Sequence, residues 1–278
     1  MRIPMIKKVL LIMIAIPMVI LPLASCSPSV IEDEVEEAIS QKEDTSQVVE
    51  EVVEEAVSES IEPIVEEPAA PSGTLVVAHS EKMESLDPHA KLQIHSYNIA
   101  VMLYDTLVNV SNDGEIEPRL ATAWEQLDDL TWRFTLRDDV FFHNGEPFTS
   151  ESVKFSLDRV SNPDLGLSQS SVWTAYEGTD ASDPYVAIIK TKVPDGTILT
   201  NLALTGMLPP EAGPNIDFST EALGSGPFKF VERVLDDHLT LEANENYWGE
   251  VPAIKTVIIR DIPEHTTMVS AFETGEVD

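Results

Sequence analysis

The sequence predicts a mixed α/β (α+β) domain over residues 73–278, and three observations carry that prediction. Strand-like runs recur through this stretch, helical apolar spacing lies between them, and turn-forming clusters separate the two. The chain is also large enough to bury a sizeable core, with 43% hydrophobic residues in 278.

The elements follow in chain order. Residues 74–79 (TLVVAH) form a short apolar run with the length and β-branching of a buried strand. Over residues 98–108, Ile99, Met102, Leu103 and Leu107 repeat at helical spacing, which predicts a helix packed by one face. Asn112, Asp113 and Gly114 mark a turn. Residues 131–136 alternate Trp132, Phe134 and Leu136 with Arg133 and Thr135, the period of a half-buried strand. Asp138 and Asp139 then turn the chain toward 140–143. Thr149 is placed to cap a helix through Val153, Leu157 and Val160, which Asn162 and Pro163 end. Further strands are expected at 185–191, 239–243 and 257–261, and no internal repeat is evident.

Ahead of this domain stand two segments of different character. Arg2, Lys7 and Lys8 precede an apolar run over residues 9–23. That run is shorter than the roughly 20 residues of a membrane span, and Pro17 and Pro22 interrupt it. It reads as a secretory signal over residues 1–26. Leu23-Ala24-Ser25-Cys26 resembles the lipobox of bacterial lipoproteins, which makes Cys26 the expected lipidation site and a membrane anchor the expected consequence. Residues 27–72 hold fifteen Asp or Glu against a single Lys, with almost no aromatic residue. Dense like charge and low hydrophobicity predict a disordered, self-repelling tether. Val48, Val49, Val52, Val53, Ala56 and Val57 also fit a short amphipathic helix.

The formal net charge of −32 excludes the clustered cationic surface that nucleic acid requires. His79, His89, His95, His143, His238 and His265 form no His-Glu-x-x-His pair or other tight metal spacing. No Gly-x-Ser-x-Gly elbow occurs, and Cys26, the single cysteine, is assigned to lipid. The expectation is a protein that is not an enzyme and carries no catalytic residue, metal or cofactor.

Four stretches together resemble the peptide-, nickel- and opine-binding family of ABC-importer solute-binding proteins. They are 73–90 (GTLVVAHSEKMESLDPHA), 104–124 (YDTLVNVSNDGEIEPRLATAW), 131–160 with its Phe-His-x-Gly-x-Pro-Phe turn, and 224–249 (GSGPFKFVERVLDDHLTLEANENYWG). The resemblance implies a periplasmic-binding-protein-like lobe with an inserted subdomain. It also implies a second lobe, expected beyond the Gly275-Glu276-Val277-Asp278 ending and missing from this sequence. Two departures stand out. Asn144 replaces a usual Asp, and Ser150-Glu151-Ser152 replaces a frequent Ala-x-Asp, which removes the usual partner of the Thr149 cap.

The function implied is capture of peptides or similar small solutes outside the membrane, with delivery to a permease and ATPase complex. A surface receptor or adhesin on the same fold, or a non-binding remnant, are the alternatives. Gln93, His95 and Ser96, which follow Leu86-Asp87-Pro88, are the first candidates for ligand contact. Trp173 is a candidate to stack on a ligand, or else a core residue. Ser225 and Gly226 stand at a turn where backbone groups can approach a solute, or simply shape that turn. Tyr247 and Trp248 are expected in the core.

Overall fold

The computed structural model describes residues 70–82, 84–90 and 94–278. The expected signal peptide, Cys26, the acidic tether through residue 69 and Gln93 lie outside the described residues.

The chain runs through β1 (Ser72–His79), α1 (Ile94–Leu103), β2 (Val108–Val110), β3 (Ile116–Pro118), β4 (Ala121–Asp128) and β5 (Thr131–Leu136). It continues through α2 (Ser150–Val160), β6 (Tyr176–Asp183), β7 (Val186–Thr191) and α3 (Ile198–Leu202). The last elements are β8 (Phe228–Val234), β9 (His238–Ala243), β10 (Ile254–Asp261) and α4 (His265–Thr274). One four-stranded sheet has the order β1-β10-β9-β8, with β1 parallel to β10 and the remaining pairs antiparallel. A second, wholly antiparallel sheet has the order β4-β5-β7-β6, and β2 and β3 form a separate hairpin. The mixed α/β class expected from sequence is the class observed.

Each sheet has its own core. Phe134, Leu136, Ala187 and Ile189 on the second sheet pack with Val153, Leu157 and Val160 of α2. Leu239, Leu241, Val257 and Ile259 on the first pack with Ile99 and Leu103 of α1. Alternation explains the sheet face: in β5, Phe134 and Leu136 are buried while Arg133 and Thr135, which alternate with them, are exposed. The α2 stripe explains the helix face, and its Lys154 and Asp158 pair one turn apart on the outer side.

The helix expected over 98–108 instead spans Ile94–Leu103. Its end is fixed by tertiary contact, because the Gly226 amide donates to the Leu103 carbonyl at 3.0 Å and Asp105 turns inward. Residues 106–108 then lead into β2. Past 140 the chain makes a single bridge between Phe141 and Pro147, around a turn in which Gly145 has φ of 87°. The missing Asp of the α2 cap is replaced by Ser152, whose Oγ accepts from the Thr149 amide at 3.2 Å. Among the described residues, no helix is long and apolar enough to cross a membrane.

Candidate functional site

The segment after β1 folds into a tight turn around Asp87. Its carboxylate accepts from the His89 amide at 2.9 Å, and its carbonyl accepts from the Ala90 amide at 3.1 Å. This is the local bonding that makes Asp and Pro turn formers. Arg159, reaching from α2, clamps the same carboxylate with Nη2 at 2.6 Å and Nη1 at 3.0 Å. The two-pronged geometry is the strong form of the Arg–carboxylate pair.

His89 is fully buried beside this pair. Arg159 Nη1 lies 3.0 Å from its Nδ1, and a guanidinium only donates, so Nδ1 accepts. Nε2 therefore carries the hydrogen and donates to the Gly206 carbonyl at 2.9 Å. Burial lowers the imidazole pKa to about 4; Asp87 opposes that shift and Arg159 adds to it. The Tyr104 hydroxyl donates to the Leu86 carbonyl at 3.2 Å, and burial holds its phenol well above the ordinary value.

Around this turn lies a small hollow of about 20 Å³, room for little more than one water molecule. Asp87, Pro88, Tyr104 and Gly206 form part of its wall, with Ser96 and Tyr97 from α1 and Gln169 from the 3-10 turn Ser168–Val172. Gln169 is nearly buried and donates to the Pro88 carbonyl at 2.7 Å, so it braces the turn as well as lining the pocket.

A second polar centre ties the two cores together. Asp105 is fully buried and accepts from Arg119 Nη2 at 2.7 Å, Ser225 Oγ at 3.0 Å, Tyr247 Oη at 2.9 Å and Trp248 Nε1 at 2.9 Å. With both oxygens occupied by donors, the carboxylate has no lone pair aimed at an open surface. Its role is structural.

These contacts place the sequence candidates. Ser96 lies on the pocket wall. His95 sits at the start of α1, with its side chain outside the described residues, as Gln93 is altogether. Trp173 is 3% exposed, donates from Nε1 to Thr205 Oγ1 at 3.1 Å and meets Tyr176 edge-on. It packs in the core of the second sheet. Ser225 is buried against Asp105, and Gly226 lies against the end of α1. The structure thus puts Trp173, Ser225 and Gly226 inside the fold, while Ser96 faces the pocket.

Sequence reasoning passed over Asp87 itself, Arg159, Gln169 and the Asp105 centre. Arg159 stands three residues after Ser156 and seven after Ser152, which are buried and put it on the inner face of α2, but two serines do not mark that face in sequence. Nothing local marks Gln169 or Asp105, whose partners come from distant parts of the chain.

Residues 115–278 match the family described as bacterial extracellular solute-binding proteins, family 5, middle. The chain belongs to this family. The nickel-binding periplasmic protein of Escherichia coli K12 is 35% identical over 190 residues, which cover 64% of this chain and 35% of that protein. The glutathione-binding protein GsiB of Salmonella paratyphi A is 29% identical over 217 residues, covering 75% and 42% respectively. Among solved structures, NikA from Brucella suis in complex with Fe(III)-EDTA superposes with a TM-score of 0.66 at 30% identity. It covers 74% of this chain and 43% of the other. NikZ from Campylobacter jejuni in complex with Ni(L-His) gives 0.69 at 25% identity, with 74% and 42% covered. The chain thus spans less than half the length of these relatives. Membership accounts for the order of the four sequence stretches and for the periplasmic-binding-protein-like fold.

Proposed function

We propose that this chain serves extracytoplasmic solute capture for a bacterial ABC importer, as part of a binding protein held to the membrane by lipid on Cys26. The observation that carries the reading is the match to the solute-binding family, and the small hollow at the Asp87 turn is the surface proposed to meet the solute. Ser96 lies on its wall, and Gln93 and His95 immediately precede it in sequence. These three are the proposed solute contacts. Ser225, Gly226 and Trp173 would serve the same function from behind, by fixing the end of α1 and the floor of the second core. Relatives bearing nickel- and glutathione-binding names support small peptides and metal chelates as the solute class. Delivery would be to a permease and ATPase complex, with no catalytic step in this chain.

The test is thermal unfolding of the chain with di-, tri- and tetrapeptides, glutathione and the nickel–L-histidine complex. Binding to the native state alone adds about 2.7 kcal/mol at a hundredfold excess over Kd. For a domain of this size that raises the midpoint by about 5 °C or more. A flat response to every member of the panel would count against solute capture and toward a receptor role. Anchoring is tested separately, by incorporation of labelled palmitate that is expected to vanish in Cys26→Ser.

A further inference from the structure

We propose that Arg159 is the positioning residue of the solute pocket, fixing the 86–90 turn through Asp87 and His89 without lining the pocket itself. The proposal rests on the solute-capture reading for its consequence, though not for its geometry.

The turn belongs to neither sheet. Its backbone is held by scattered single bonds: Tyr104 Oη to the Leu86 carbonyl, Gln169 Nε2 to the Pro88 carbonyl, and the Ser168 amide to the Ala90 carbonyl at 3.1 Å. Arg159 adds the firm connection to a rigid element. Its helix is pinned by Val153, Leu157 and Val160 in the core of the second sheet, and its guanidinium lies over the Phe218 ring at 5.3 Å. From there it grips Asp87 with two bonds and His89 with one, and His89 carries the link to Gly206, another residue of the pocket wall. One cation therefore sets two parts of the wall relative to α2. A two-nitrogen fork is needed, because Nη1 and Nη2 each take one oxygen of the carboxylate while Nη1 also reaches His89, a spread that the single ammonium of lysine does not match. Without it, the largely buried Asp87 carboxylate loses its counter-charge and the turn must open to solvate it.

Among the described residues, the groups around His89 are few. The turn supplies Asp87, α2 supplies Arg159, and the chain just past α1 supplies the Tyr104 phenol. The 3-10 turn supplies neutral Gln169, and the segment at Gly206 supplies backbone alone. Asp87 and Arg159 act on the imidazole in opposite senses, which gives a readout that general destabilisation would not copy.

The experiment uses the 278-residue chain as Arg159→Met, Arg159→Lys and Asp87→Asn. Arg133→Met, which breaks the exposed pair with Glu125 on the second sheet, is the control. Amide exchange at 86–90 should accelerate about tenfold or more in the two Arg159 variants, the scale of losing bonds to a charged group. Exchange in α2 and in the control should stay as in the parent. In ring-nitrogen magnetic resonance, the His89 titration should rise from about 4 in Arg159→Met and fall further in Asp87→Asn.

With glutathione and the nickel–L-histidine complex as calorimetric probes, whichever the parent binds should bind about tenfold more weakly to Arg159→Met and Arg159→Lys. Unchanged exchange at 86–90, His89 shifts of the same sign in both variants, or unchanged affinity for a probe the parent binds would each overturn the proposal. If the parent binds neither probe, that result counts against solute capture, and the exchange data alone decide the role of Arg159.

Discussion

The hydroxyl of Ser225 and the carboxylate of Asp105, 120 residues apart in sequence, meet at 3.0 Å with both residues fully buried. Arg119, Tyr247 and Trp248 complete the donor set around that carboxylate. Burying a charge is tolerated only when it is paired and its oxygens are satisfied, so each donor offsets part of a large desolvation cost. Asp105→Ala would leave the Arg119 guanidinium without its partner and should lower stability by about 3–5 kcal/mol. Ser225→Ala removes one bond of several and should cost about 1–3 kcal/mol. Urea denaturation measures both. Equal losses would mean that the centre does not depend on its charge.

Acid should weaken the fold through two histidines. Burial lowers both His89 and His143 to about 4. For His143 burial outweighs the bond that Nε2 donates to the Gly226 carbonyl at 3.0 Å, which favours the charged ring, while Nδ1 accepts from the Gly224 amide at 3.4 Å. In the unfolded chain each titrates near 6.5, so the unfolded state takes up protons first as pH falls. The stability each contributes is whole above pH 6.5 and is lost between 6.5 and about 4. At pH 5 that amounts to about 2 kcal/mol per histidine. Denaturation midpoints should therefore fall between pH 7.5 and 5, and His143→Gln should flatten the slope by about half. An identical slope in that variant would remove His143 from the account.

The fold was legible where pattern is local. β5 has the bounds that alternation predicts, and α2 carries the stripe and cap position read from Thr149, Val153, Leu157 and Val160. It was illegible where polarity hides an edge strand: β6 reads YEGTDASD and owes its existence to pairing with β7, through a register broken in two places. The site followed the same division. The Leu86-Asp87-Pro88 turn and Ser96 beside the pocket come from neighbouring residues, whereas the pairing of Asp87 with Arg159 spans 72 positions. Ser225 and Trp173 stood open between ligand contact and the interior, because a single sequence cannot tell a hydroxyl or indole facing solvent from one satisfied inside.

The replacement at the α2 cap makes a smaller claim. Ser152 is fully buried and its Oγ accepts from the Thr149 amide at 3.2 Å, which supplies the reciprocal half of a capping box. Ser152→Ala should cost about 1 kcal/mol, measured by chemical denaturation. A neutral result would mean that packing alone holds the start of the helix.

The turn at 224–226 should tolerate no side chain at its glycines, and the reason is backbone rather than torsion. A Cβ on Gly224 would lie 2.0 Å from the Leu103 carbonyl oxygen, and one on Gly226 would lie 2.5 Å from the Leu103 carbonyl carbon. Both neighbours are main-chain atoms at the end of α1, so relief requires moving the helix or the turn. At Gly206 the nearest atoms are the Cβ atoms of Pro88 and Tyr104, each at 3.0 Å, where a shift of a few tenths of an ångström suffices. Gly178 has nothing within 4 Å. Alanine should therefore cost about 3 kcal/mol or more at 224 and 226, about 1 kcal/mol at 206, and close to nothing at 178. The order is the sharper part of the prediction, because it follows from which atom must move. If Gly226→Ala proved as mild as Gly178→Ala, α1 could not end where the turn now holds it, and the wall that carries Ser96 would lose its anchor.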